Sequence, residues 1–191
     1  MGKIVHMDKV KEFARKTPVF SARDVGLMVG DRAYAALMLH NLEKRGEVHR
    51  IKKGWYSLAE DPIVSVYAFR PSYLGLQEAL TLRNLWEQET NVVLVTPLKV
   101  RPGARSIMGS SVIVRRIDRE RFFGFDYLRY GDFFVPVSDV EKTLIDLAYF
   151  DELPDEEVLK EFRKVADRKK VETYLKKYSG SFVAKVRSIL R

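Results

Sequence analysis

The first sixty residues are punctuated too densely for any long element to fit. Val10, Phe13 and Ala14 form an apolar stripe at helical spacing and predict a helix over residues 8–18. Thr17-Pro18 ends it, because proline disfavours the helical region for the residue before it. Ser21 then stands as an N-cap with Asp24 three residues on, a variant of the capping box, which starts a second helix over residues 22–28. Gly30 permits a tight turn and Asp31 caps a third helix over Arg32–Arg45, with Ala36, Leu39 and Leu42 on one face and Gly46 closing it. Two short strand patterns follow, Glu47–Ile51 and Trp55–Leu58, around Lys52-Lys53-Gly54. Trp55 and Tyr56 are expected to turn back toward this core. Three short helices and a basic hairpin in that order are the order of a winged helix-turn-helix, predicted here for residues 1–61, with the junction at Asp61-Pro62.

Such a module presents its third helix to the major groove. With Leu39 and Leu42 facing the core, helical spacing turns Arg32, Tyr34, Leu37, Met38, Asn41 and Arg45 toward the open side or its flanks. Asparagine suits an adenine edge and arginine a guanine edge or a phosphate. On the hairpin, Arg50, Lys52 and Lys53 are candidates for holding the DNA backbone. The expected DNA-binding set is therefore Arg32, Tyr34, Met38, Asn41, Arg45, Arg50, Lys52 and Lys53. Charge agrees. The net charge is +8, and residues 1–61 hold 12 Lys and Arg against 8 Asp and Glu, which favours a polyanionic partner.

Residues 62–191 predict a second, mixed α+β domain. Ser72 is placed to cap a helix running to about Glu89. Strands are expected at Asn91–Thr96, Ser111–Ile117, Phe122–Tyr130 and Phe133–Val137, and a loop over Pro97–Gly109. Ser138 is expected to cap a helix over Asp139–Phe150, with Glu141 as its reciprocal capping-box partner. Further helices follow Pro154. The fold class expected for the whole chain is α+β, a winged helix-turn-helix followed by a small sheet with C-terminal helices.

Several classes are disfavoured. The chain has no cysteine, which excludes disulfides and thiolate-held metals. His6, His40 and His49 lack metal-ligand spacing, and neither a glycine-rich phosphate loop nor a Gly-x-Ser-x-Gly elbow is present. Lys142 and Asp146, four residues apart, suit an ion pair within one helix rather than an acid–base site. The expectation is a protein without enzymatic activity, cofactor or metal. No apolar run reaches the length of a membrane span and no signal peptide is expected, so a cytoplasmic location is expected.

Three stretches carry a resemblance. Leu39-x-x-Leu42-x-x-x-Gly46 leads into Val48-x-Arg50-Ile51-x-x-Gly54-x-Tyr56 and Asp61-Pro62. Tyr73 is followed by Glu78-Ala79-Leu80. Last comes Ser138-x-x-Glu141-Lys142-Thr143-Leu144-Ile145-Asp146. In this order they resemble the abortive-infection antitoxin family (AbiEi), with two departures: Glu78 stands where the family usually has serine, and Val140 where it often has proline. The resemblance implies a transcriptional regulator that represses its own promoter by binding inverted repeats, and whose C-terminal domain counters a nucleotidyltransferase-like toxin encoded beside it; two protomers are expected on such a repeat, since a palindromic site mirrors two-fold symmetry. Two rivals remain open at this level: a protein-interaction module that docks a toxin or other partner, and a nucleic-acid-processing enzyme using Asp146 or Asp167.

Overall fold

Ser21 begins the N-terminal arrangement. Its side chain accepts from the Asp24 N–H at 3.1 Å while the Asp24 carboxylate accepts from the Ser21 N–H at 2.8 Å, so two otherwise orphaned donors are satisfied reciprocally. The computed structural model describes residues 2–88 and 90–191. It runs α1 (Gly2–Lys16), β1 (Phe20–Ser21), α2 (Ala22–Val29), α3 (Arg32–Lys44), β2 (His49–Lys52) and β3 (Trp55–Ser57). Gly30 ends α2 in the left-handed region at φ 75°, where a Cβ would be strained, and Asp31 caps α3 by accepting from the Ala33 and Tyr34 N–H groups. At the far end of α3, Glu47 N–H bonds to the Leu42 carbonyl and Gly46 N–H to that of Glu43, which is the Schellman closure expected of Gly46 at φ 70°.

These helices enclose Val10, Ala14, Phe20, Val25, Ala35, Met38, Leu39, Leu42 and Val48. The buried stripe of α3 is therefore 35, 38, 39 and 42. Ala36, expected in the core, is exposed; Ala35 takes that place, because it lies one turn before Leu39 and two before Leu42. The three strands form an antiparallel sheet in the order β1-β3-β2. Tyr56 pairs with Phe20 and stacks on its ring, centroids 6.3 Å apart, so it does seal the core. The expected junction at Asp61 is ordered: its carboxylate accepts from Ile63 N–H at 2.9 Å, and the 3-10 turn Pro62–Val64 leads into α4 (Ser65–Ala68). The compact unit comprises residues 1–70 together with 105–112.

The second unit, residues 71–104 and 113–191, is mixed α+β. After Pro71 the elements are β4 (Tyr73–Leu74), α5 (Leu76–Leu82), β5 (Val92–Thr96), β6 (Gly103–Ile107), β7 (Ser110–Arg116), β8 (Phe125–Tyr130), β9 (Phe133–Ser138), α6 (Val140–Tyr149), α7 (Glu156–Val165), α8 (Arg168–Leu175) and α9 (Gly180–Ile189); residues 105–112 of the β6–β7 hairpin count with the first unit. The sheet order is β6-β7-β5-β4-β9-β8; β4 runs antiparallel to β5 and parallel to β9, and β8 antiparallel to β9. Two strands differ from expectation. Tyr73–Leu74 is extended where a helix was expected from Ser72, and α5 starts only at Leu76. Gly75 makes that corner, donating to the Val93 carbonyl; a Cβ there would lie 2.8 Å from Val95 Cγ2. Glu89, the expected helix end, lies outside the described residues. β6 occupies what the prolines and glycines mark as loop. Tyr73, Leu76, Leu80, Val93 and Val95 pack with Leu144, Ile145, Phe162, Val171, Leu175 and Val186 in one core, around which α6 is buried from Glu141 to Ala148.

Candidate nucleic-acid interface

Burying one stripe of α3 turns the opposite stripe outward. Arg32, Ala33, Ala36, Leu37, His40, Asn41 and Lys44 are all exposed, spaced so that they line one side of the helix. Leu37 keeps 57% of its surface in solvent although it is a large aliphatic side chain. Gly26 of α2 sets how closely the two helices approach: a Cβ on it would meet Arg32 Cγ at 3.3 Å. Arg23 and Leu27, one turn apart on α2, are also exposed, Leu27 by 71%.

Five of the eight expected residues fall on open surface: Arg32, Asn41 and Arg45 around α3, and Arg50 and Lys53 on the hairpin. Met38 is a correction. It is 4% exposed and belongs to the core, one turn before Leu42, so it cannot face a groove. Tyr34 is half-buried against the same core. Lys52 is a second correction. The ladder between β2 and β3 slips between Arg50 and Lys52, so the side chain does not follow the alternation that turns Arg50 outward. Its Nζ donates instead to the Ala68 carbonyl and sits 4.6 Å from the Phe69 ring and 5.4 Å from that of Trp55. Burial, with the Arg105 charge second, holds its pKa below the ordinary lysine value.

Arg45 is exposed but not idle. Its guanidinium lies 3.3 Å from the Glu47 carboxylate, which also binds Lys11 and is held below the usual carboxylate range, first by that hydrogen bond. Leu37 stands outward as the helical spacing predicts, whereas the exposed Ala33, Ala36, His40 and Lys44 were not among the residues expected on this face. The signal that finds them is the choice of Ala35 rather than Ala36 as the inward alanine, since that choice rotates the whole outward face.

No family model matches the chain, and no curated relative matches it. The crystal structure of the Rv2827c protein from Mycobacterium tuberculosis is similar in fold. Its TM-score is 0.63 over 95% of this chain and 74% of that one, at 14% identity. At that identity the likeness concerns the fold alone.

In the second unit, the Ser138–Asp146 stretch is interior. Asp139, not Ser138, caps α6 by accepting from Lys142 N–H at 2.8 Å, and Ser138 Oγ lies 2.7 Å from Thr143 Oγ1. Glu141 is not a capping-box partner either; it accepts from Asp167 N–H at 2.9 Å and from Lys170 Nζ at 2.9 Å. Lys142 and Asp146 form the expected pair, fully buried, and Tyr73 Oη donates to Asp146 at 2.6 Å. Burial draws the lysine down and the aspartate up, against their mutual attraction, and drives Tyr73 well above its usual value. Asp167 caps α8 through the Lys169 and Lys170 N–H groups. Among the described residues, no three His, Asp or Glu side chains gather in a way that could hold a metal ion, and no helix is long and apolar enough to cross a membrane.

Proposed function

We propose that the protein is a sequence-specific DNA-binding transcriptional regulator whose N-terminal unit is a winged helix-turn-helix. The observation that carries this reading is the unbroken exposed stripe of α3, bounded by Arg32 and Lys44, in a unit that also exposes Arg50 and Lys53 on a hairpin. Helix α3 enters the major groove, Arg32 and Asn41 meet base edges or orient on them, and Arg45, Arg50 and Lys53 neutralise phosphates. The resemblance to the AbiEi antitoxins extends this to autorepression from an inverted repeat by two protomers in the cytoplasm. The second unit then counters a nucleotidyltransferase-like toxin, without catalysis or a cofactor of its own. The interior position of Lys142 and Asp146 supports a non-enzymatic reading, since neither side chain reaches solvent to meet a substrate.

Footprinting on the DNA upstream of the coding region tests the regulator role. A protected inverted repeat is expected, and uniform protection or none overturns it. Co-expression with a neighbouring nucleotidyltransferase reading frame tests the antitoxin role, with rescue of growth as the expected result. A second reading, direct docking of a protein partner on the second unit, is favoured by Tyr127 of β8 and Phe134 of β9, which are 64% and 59% exposed. They lie on one face of that hairpin, since Tyr127 pairs with Pro136 and Arg129 with Phe134. Capture of the toxin without DNA, lost on Tyr127→Ser with Phe134→Ser, supports it.

A further inference from the structure

We infer that Leu37 reads thymine methyl groups in the major groove, and that each DNA half-site recognised by this protein has A·T pairs at its centre. The inference rests on the DNA-binding reading above and deepens it. Between Arg32 and Lys44 the exposed stripe of α3 carries Ala33, Ala36, Leu37, His40 and Asn41, and no Lys, Arg, Asp or Glu. That composition restricts which bases the helix centre can recognise. Guanine is read chiefly by the paired donors of Arg or Lys, and the cytosine amino group by a carboxylate acceptor. Neither type is present there. Adenine is read by the amide of Asn or Gln, and thymine alone offers an apolar group in that groove, its C5 methyl. Asn41 and Leu37 match these two.

Leu37 is the decisive residue, because more than half of it stands in solvent on this face, and covering it with a methyl group removes apolar surface from water on binding. The small side chains of Ala33 and Ala36 beside it let the helix sit close to the groove floor, where a methyl is in reach. Asn41 follows Leu37 by one turn, a rise of about 6 Å. At about 3.4 Å per base pair, the adenine and the methyl fall within about two base pairs of one another.

The experiment begins with the full chain and a random pool of duplexes. Enrichment of a site with A·T pairs at the centre of each half is expected. The selected duplex is then remade with deoxyuridine in place of single thymidines, which deletes one methyl and keeps every hydrogen bond. Binding should fall about fourfold at a contacted position, the worth of one buried methyl. Leu37→Ala should bind the thymidine and deoxyuridine duplexes alike, whereas Asn41→Ala should keep the difference. G·C pairs at the half-site centre, or a wild-type chain indifferent to every methyl deletion, overturns the inference and leaves DNA binding standing. Failure to enrich any sequence overturns both.

Discussion

Lys52 and Lys53 are neighbours on a basic hairpin, yet they should behave as different kinds of residue in a salt titration. Lys53 is exposed, while Lys52 is held by the Ala68 carbonyl and two aromatic rings. Each phosphate neutralised by a freely reaching cation contributes about 0.9 to the slope of log K against log salt. Lys53→Ala should therefore flatten that slope by about 0.9, and Arg50→Ala with Lys53→Ala by about 1.8. Over a fourfold rise in salt, one lost contact changes the ratio of wild-type to variant affinity about 3.5-fold. Lys52→Ala should leave the slope unchanged within error and lower stability instead. It removes a charge-assisted hydrogen bond and two ring contacts, together about 1 kcal/mol once partial exposure is allowed for. Fluorescence anisotropy on an operator duplex between 50 and 200 mM salt reads the slope, and urea melts read the stability. Equal slope losses for Lys52→Ala and Lys53→Ala, with no stability loss in the former, would refute the assignment.

Met38→Ala should destabilise the chain by about 3 kcal/mol, because it opens a cavity beside Leu42. Asn41→Ala should leave urea melts unchanged while costing about 1–3 kcal/mol of discrimination at one base pair in competition binding. Gly75→Ala should cost about 1–3 kcal/mol in the same melts, since its Cβ must displace Val95. Lys142→Met should cost about 3–5 kcal/mol by stranding Asp146 in the core, and a combined Lys142→Met and Asp146→Leu chain should recover much of that loss. Burial pushes Glu141 up, but the Lys170 ammonium and the Asp167 N–H outweigh it, and its folded pKa is lowered. The stability it contributes is then full above the ordinary glutamate value and lost as pH falls through the lowered one. Denaturant midpoints between pH 3 and 7 should fall less steeply for Glu141→Gln than for the wild type.

The elements of the N-terminal unit were legible because short-range chemistry places them. Ser21 with Asp24, Gly30, Asp31, Gly46 and Gly54 each act within a few residues, and the structure uses all of them at helix ends and turns. The outward face of α3 was less legible. Ala35 and Ala36 differ in sequence only by position, so the inward one is chosen by packing against Val10, Phe20 and Val25, which local pattern does not contain. Lys52 was missed for a similar reason, since a slip in strand register leaves no mark in composition. In the second unit the two-residue strand β4 is too short for any periodicity, and it exists because Val95 and Val137, far along the chain, supply its partners on either side. The capping of α6 passed from Ser138 to Asp139, two adjacent residues that both cap well, and the buried hydroxyl of Thr143 takes up Ser138.

The interior course of Ser138 to Asp146 bears on what a short run of letters can testify to. Its serine, lysine, threonine and final aspartate are wholly shut away from solvent, so substitution among them is judged by the hydrophobic centre and not by any visitor. In this chain those letters serve the closing of the scaffold. Leu37 and Tyr127, by contrast, stand on the outer surface, where a change of side chain leaves that interior packing untouched.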